Sequence, residues 1–94
     1  MPQARVLHTA EFSRWLRVVP SARVRERIRR LEESLTEFPD MGSPQMRRSL
    51  IVRYRDRTYG GNLRKVAVGG YVIIYAHKDD EVIILGVLSE RAVR

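Results

Sequence analysis

Residues 71–88, "YVIIYAHKDDEVIILGVL", decide how this chain folds. The runs 71–76 and 81–88 are rich in β-branched and aromatic residues and are separated by the polar "HKDD" (77–80). Each is too short for a buried helix and is bounded by turn chemistry, so together they read as two strands of a hairpin. Neither alternates with polar residues, which places both strands in the middle of a sheet.

Working outward, "LRKVAV" (63–68) is a third strand, joined to the hairpin through Gly69–Gly70, a tight connection or a bulge. Upstream, "SLIVRYRD" sets Leu50, Val52 and Tyr54 against Ile51, Arg53 and Arg55, a period near two. The spacing predicts a strand over 50–57 at the edge of the sheet, where its arginines discourage edge-to-edge pairing between molecules. Tyr59, Gly60, Gly61 and Asn62 supply a turn, and "DMGSPQ" (40–45) is a loop by composition.

Before that loop the period becomes helical. Val24, Ile28, Leu31, Leu35 and Phe38 recur at spacings of 4, 3, 4 and 3, one packing seam of a long helix capped by Ser21 and ended by Pro39. The opposite face carries Arg23, Arg25, Glu26, Arg27, Arg29, Arg30, Glu32 and Glu33, with Glu26 and Arg30 at pairing distance along the helix. Phe12, Trp15, Leu16 and Val19 form the stripe of a shorter helix that starts at Thr9 and stops before Pro20. "RVLH" (5–8) reads as a short first strand.

Helices followed by consecutive strands give an α+β fold: an N-terminal strand and a helical hairpin packed on one face of a mostly antiparallel sheet of four or five strands. The 94 residues are enough for one domain, 1–94. Such a sheet leaves its other face to a ligand.

Composition narrows the partners. The net charge of +7 attracts phosphate or an acidic protein and does not choose between them. With no cysteine the chain has no disulfide and no thiolate metal site, and it fits the cytoplasm. It has no apolar run of roughly 18 residues to span a membrane and no signal-peptide core. Two isolated histidines are too few for a metal site, and no glycine-rich loop cradles a cofactor phosphate, so neither metal nor cofactor is expected.

The basic residues gather between 45 and 65: Arg47, Arg48, Arg53, Arg55, Arg57, Arg64 and Lys65, interleaved with Tyr54 and Tyr59. Guanidinium groups beside aromatic rings suit phosphate contacts with stacking, and equally suit a solvated sheet edge. The tail adds Arg91 and Arg94. Hydrolysing RNA through its 2′-hydroxyl needs a base, a cation and an acid around one phosphate. His8 reads as a strand-end residue and His77 as a solvated turn residue, while Asp79, Asp80 and Glu81 satisfy a hairpin tip. The residues alone give no catalytic set.

"LRKVAVGGYVIIYAHKDDEVIILGVLSER" resembles the core of the RelE/ParE superfamily, the toxins of type II toxin–antitoxin modules. The order of a short strand, helical hairpin, loop and sheet agrees with it. The resemblance implies a small basic toxin neutralised by an acidic antitoxin, as a dimer or in a toxin–antitoxin hetero-oligomer. It allows two targets. ParE-like members poison DNA gyrase by binding, whereas RelE-like members cut messenger RNA in the ribosome with cationic side chains. For a ribonuclease the matching positions are Arg64, Lys65 and Arg91. For a binder, Arg53, Arg55, Arg57, Arg64, Lys65, Arg91 and Arg94 would meet the target.

Departures from the ribonuclease pattern fall at Val72, Ala67 and Ser89, where many members carry arginine, another basic residue and histidine. One missing cation at developing phosphate charge is worth roughly 3–4 kcal/mol of transition-state stabilisation. The chain therefore leans towards the gyrase-binding type. The RelE-like ribonuclease, and a toxin fold without toxicity that binds an acidic partner or nucleic acid, are the alternatives.

Overall fold

The computed structural model describes residues 3–44, 52–54, 57–59, 63–78 and 80–90, with Pro44 and the strands at 52–54 and 57–59 described by their backbone. Strand β1 (Arg5–His8) leads through Thr9 into helix α1 (Ala10–Val18), and helix α2 (Ala22–Glu37) follows after a short link. Thr9 and Ser21 each accept an N–H of the first turn, from Phe12 and Val24, as their positions predict. Val24, Ile28, Leu31 and Leu35 are buried along α2.

Phe38, expected in that seam, is 64% exposed instead. Pro39 disfavours a helical residue before it, and Phe38 adopts φ −128°, ψ 72°, which turns the chain off the seam one residue early. Along the outer face, Arg29 bonds Glu26 and Glu33 and carries the main ion pairs; Arg30 lies 3.5 Å from Glu26.

The sheet has five strands, β2 (Ser43–Pro44), β5 (Leu63–Val68), β6 (Tyr71–Lys78), β7 (Glu81–Ser89) and β1, in the order β1-β7-β6-β5-β2. β1 runs parallel to β7 and the other pairs are antiparallel. Gly69 and Gly70, at φ +53° and +87°, join Val68 to its partner Tyr71 as a two-residue hairpin turn that only glycine enters freely.

Two expectations are corrected here. The described part of the segment 50–57 does not edge this sheet: β3 (Val52–Tyr54) pairs with β4 (Arg57–Tyr59) in a separate two-stranded ladder, and Tyr59 ends a strand. Pairing with the nearest possible strand costs the least loop-closure entropy. The edge is β2. His77 belongs to β6, paired with Val82, so it is a half-buried strand residue and not a solvated turn residue.

Both helices pack on one face. α1 lies over β7, while α2 reaches from β1 to β5. Beneath them Phe12, Val19, Ile28 and Leu35 meet Ile73, Tyr75, Val82 and Ile84. A β-bulge keeps this face apolar to the end of β7. Ile74 pairs with Gly86 but Tyr75 with Ile84, so Leu85 is the extra residue and the alternation of β7 inverts there. Val82 and Ile84 face the helices before the bulge and Val87 after it. Thr9 secures the irregularity. Its hydroxyl donates to the Leu85 carbonyl at 3.0 Å while accepting the Phe12 N–H at 3.2 Å.

The far face was expected to stand open. It does not: Leu63, Val72, Ile74, Ala76, Ile83 and Leu85 are 1–6% exposed and form a second apolar cluster with Leu7 and Leu88 against it. Central strands with continuous apolar runs bury both of their faces.

Candidate binding surface

Arg64 and Lys65 are sequence neighbours, so in β5 they point to opposite faces. Arg64 pairs with Tyr75 on the helix side, and Lys65 with Ile74 on the far side. They do not converge on one phosphate.

Arg64 is engaged where α2 passes into β2. Its Nη1 donates to the Gly42 carbonyl at 2.8 Å and to the Asp40 carbonyl at 3.2 Å, and its Nε lies 3.4 Å from Asp40 Oδ1. His77 Nδ1 meets the same carboxylate oxygen at 2.7 Å. The His77 hydrogen bond, then the His77 and Arg64 charges, hold the Asp40 carboxyl below its ordinary range. Beneath them the buried Tyr75 hydroxyl accepts the Gly42 N–H at 2.9 Å. Burial pushes the Tyr75 phenol up, and the Gly42 bond and Arg64 charge partly oppose that. The four side chains tie residues 40–42 to the sheet.

His8 is on the helix side too, edge-on to Phe12 with ring centroids 5.2 Å apart and Nε2 against Glu32 Oε1. Both histidines thus sit on the helix side beside carboxylates. The far face carries Lys65, half-buried, with Arg5 paired to Glu81 at the opposite strand. Val72 and Ala67, where the ribonuclease pattern puts cations, share that far face with Leu88 and Ile74. Among the described residues no three His, Asp or Glu side chains gather as a metal site.

Of the residues singled out in sequence, Arg53 and Arg57 are placed by their backbone in the β3–β4 ladder, opposite Thr58 and Tyr54. Arg47, Arg48, Arg55, Arg91, Arg94 and Asp79 lie outside the described residues.

One surface escaped the sequence reading. Arg27 and Arg30 of α2 wall a groove of about 260 Å³ whose floor is Leu31, Val66, Ala67 and Val68. The arginines had been read as a solvated helix face, and their position over a strand edge depends on how α2 crosses β5.

A family model described as the ParE toxin of the type II toxin–antitoxin system parDE matches residues 5–93. The fold is similar to a RelB–RelE antitoxin–toxin complex from Methanococcus jannaschii, with a TM-score of 0.60 and 22% identity over 93% of each chain. It is also similar to an archaeal RelE–RelB complex from Pyrococcus horikoshii OT3, at 0.59 and 20%, covering 94% of this chain and 96% of that one. No curated protein matches.

Proposed function

The chain belongs to the ParE toxin family of type II toxin–antitoxin systems, and from that premise we propose a cytoplasmic toxin that arrests growth by gripping DNA gyrase. An acidic antitoxin holds it in check, as the charge of +7 favours. The solved neighbours are themselves toxin–antitoxin complexes.

One observation carries the choice of binding over cutting: the histidines and Lys65 lie on opposite sides of the sheet. A base and a cation must reach the same phosphate for 2′-hydroxyl cleavage. Here His8 and His77 face Glu32 and Asp40 on the helix side, and Arg64 is tied to the backbone of Asp40 and Gly42. Lys65 shares the far face with an apolar cluster.

Induction in cells tests the proposal. Growth arrest with loss of gyrase supercoiling activity and intact transcripts is the expected outcome. Transcripts cut within translated codons would sink it in favour of the RelE-like ribonuclease. In that case Lys65→Ala and Arg91→Ala abolish cutting while the domain stays folded. Unimpaired growth would leave a toxin fold that only binds.

A further inference from the structure

We infer that the turn leaving α2 is a docking surface for the toxin's protein target: Phe38 and Met41, with Glu37 and Asp40 beside them, hold a segment whose apolar side chains are flanked by lysine or arginine. The inference rests on the reading of this chain as a toxin that binds a protein. It deepens that reading by naming where the target is held and by what chemistry.

Among the described residues three large apolar side chains are exposed: Val18 at 75%, Phe38 at 64% and Met41 at 49%. Val18 lies by the start of α2, at the opposite end of that helix from the other two, and a single exposed aliphatic residue is ordinary on a protein surface. Phe38 and Met41 differ because they share a site. The Met41 N–H donates to the Phe38 carbonyl at 3.1 Å. That one turn brings both side chains to a groove of about 490 Å³, lined also by Glu37, Pro39 and Asp40. Aromatic residues and methionine are the apolar side chains that protein interfaces favour.

The turn is fixed before any partner arrives. Arg64 donates to the carbonyls of Asp40 and Gly42, His77 meets the Asp40 carboxylate, and the Tyr75 hydroxyl accepts the Gly42 N–H. All three pinning side chains come from the sheet. A surface already in its bound shape loses little conformational freedom on association. The same pinning keeps a phenyl ring and a thioether in water, where covering them is favourable.

Charge decides the occupant. A helix C-terminus carries partial negative charge and is ordinarily met by Lys, Arg or His. The last turn of α2 has no basic residue, and the helix ends on Glu37. Glu37 is exposed and has no ion pair among the described residues. Asp40 adds a second carboxylate, which stays 62% exposed beside His77 and Arg64. This end of the helix therefore repels phosphate and an acidic antitoxin and attracts cationic side chains. Neither Phe38 nor Met41 belongs to a strand, so the guest is recognised through its side chains and not through a ladder of backbone bonds. A second copy is disfavoured by the charge of +7 that each chain brings.

The test titrates the full chain with a short leucine–lysine peptide and follows backbone amides and the Met41 methyl group by NMR. A leucine–glutamate peptide of the same spacing and a lysine–serine peptide are the controls. Saturable binding of the leucine–lysine peptide is expected, with shifts at residues 37–42 and at the Met41 methyl, and weaker binding of both controls. Phe38→Ser with Met41→Ser should weaken it roughly tenfold or more, as loss of the anchors of an interface does. Glu37→Lys should weaken it roughly two- to fivefold, one exposed charge pair lost and reversed. Val18→Ser removes the exposed apolar side chain of α1 and should leave the affinity unchanged. Every substituted side chain is exposed, and Glu37→Lys removes no apolar contact, so the result does not hinge on the folding of one variant. Absence of saturable binding overturns the inference. So do equal affinity for the leucine–glutamate peptide, shifts centred on β5 or the far face of the sheet, equal weakening by Val18→Ser, or self-association of the chain that excludes the peptide. Growth and supercoiling do not enter this readout, so the docking claim and the toxin reading fail separately.

Discussion

The two faces of the sheet hold nearly equal stretches of apolar strand but use polar atoms in opposite ways. On the helix side Thr9, Tyr75, Arg64 and His77 are set into or around the core, and each ties down a backbone turn or the loop at 40–42. The far side is aliphatic, and its ion pair, Arg5 with Glu81, stands at the strand end. Polar groups are buried where helices must start and loops must cross, since a buried backbone N–H or C=O needs a partner. Histidines on the helix side therefore belong to architecture, which is why they give no support to hydrolysis.

The largest effect separates the faces by stability. Phe12 of α1 is fully buried, its ring against those of His8 and Trp15. Phe12→Ala should cost about 3–5 kcal/mol, because a ring is removed where two helices and a sheet cannot all close in. Ile83, 4% exposed on the far side, should cost about 2–3 kcal/mol as Ile83→Ala. Urea unfolding of both variants checks this, and an equal or larger loss at Ile83 would show that the far side is the principal core.

A smaller effect probes how the loop is pinned. A Cβ on Gly42 would sit 2.8 Å from both the Lys65 carbonyl and the Tyr75 hydroxyl, and 2.9 Å from the Tyr75 ring. None of those atoms is the loose end of a flexible side chain. Gly42→Ala should therefore cost about 1–3 kcal/mol through overpacking. Tyr75→Phe removes the acceptor of the Gly42 N–H and should cost about 1–2 kcal/mol. If the loop is held through this contact, the double variant will lose less than the two single losses added, as thermal or urea unfolding will show.

What could be read in advance follows the same division between local and distant. Thr9, Ser21, the α2 seam and the Gly69–Gly70 turn were legible because each is fixed by residues within a turn or two. Phe38 was misplaced although Pro39 beside it carried the signal. The opposite facing of Arg64 and Lys65 was also available from strand periodicity. Other features depend on contacts that no window contains. The bulge at Leu85 requires the register of β6, and the Asp40–His77 pair joins residues 37 apart. The groove under Arg27 and Arg30 arises only when α2 is laid across β5.

The smallest effect is a pH dependence that isolates that distant pair. Asp40 is held below its ordinary value of 3.8, first by the hydrogen bond from His77 and then by the His77 and Arg64 charges. In the unfolded chain it titrates at the ordinary value, so between the two values the folded state binds fewer protons and stability rises with pH. The contribution is complete above about pH 4–5 and is lost as pH falls through the lowered folded value. Glu26 is lowered in the same direction by Arg29, so total stability mixes the two. Subtracting the stability of Asp40→Asn from that of the native chain removes the Glu26 contribution. That difference should shrink as pH falls through and below the ordinary carboxylate range. The Asp40 side chain is 62% exposed and screened by water, which keeps the difference small. A difference that stays flat through the acid limb would mean the carboxylate gains nothing from His77, and that the loop is held by Arg64 through the carbonyls of Asp40 and Gly42 and by Tyr75 through the Gly42 N–H.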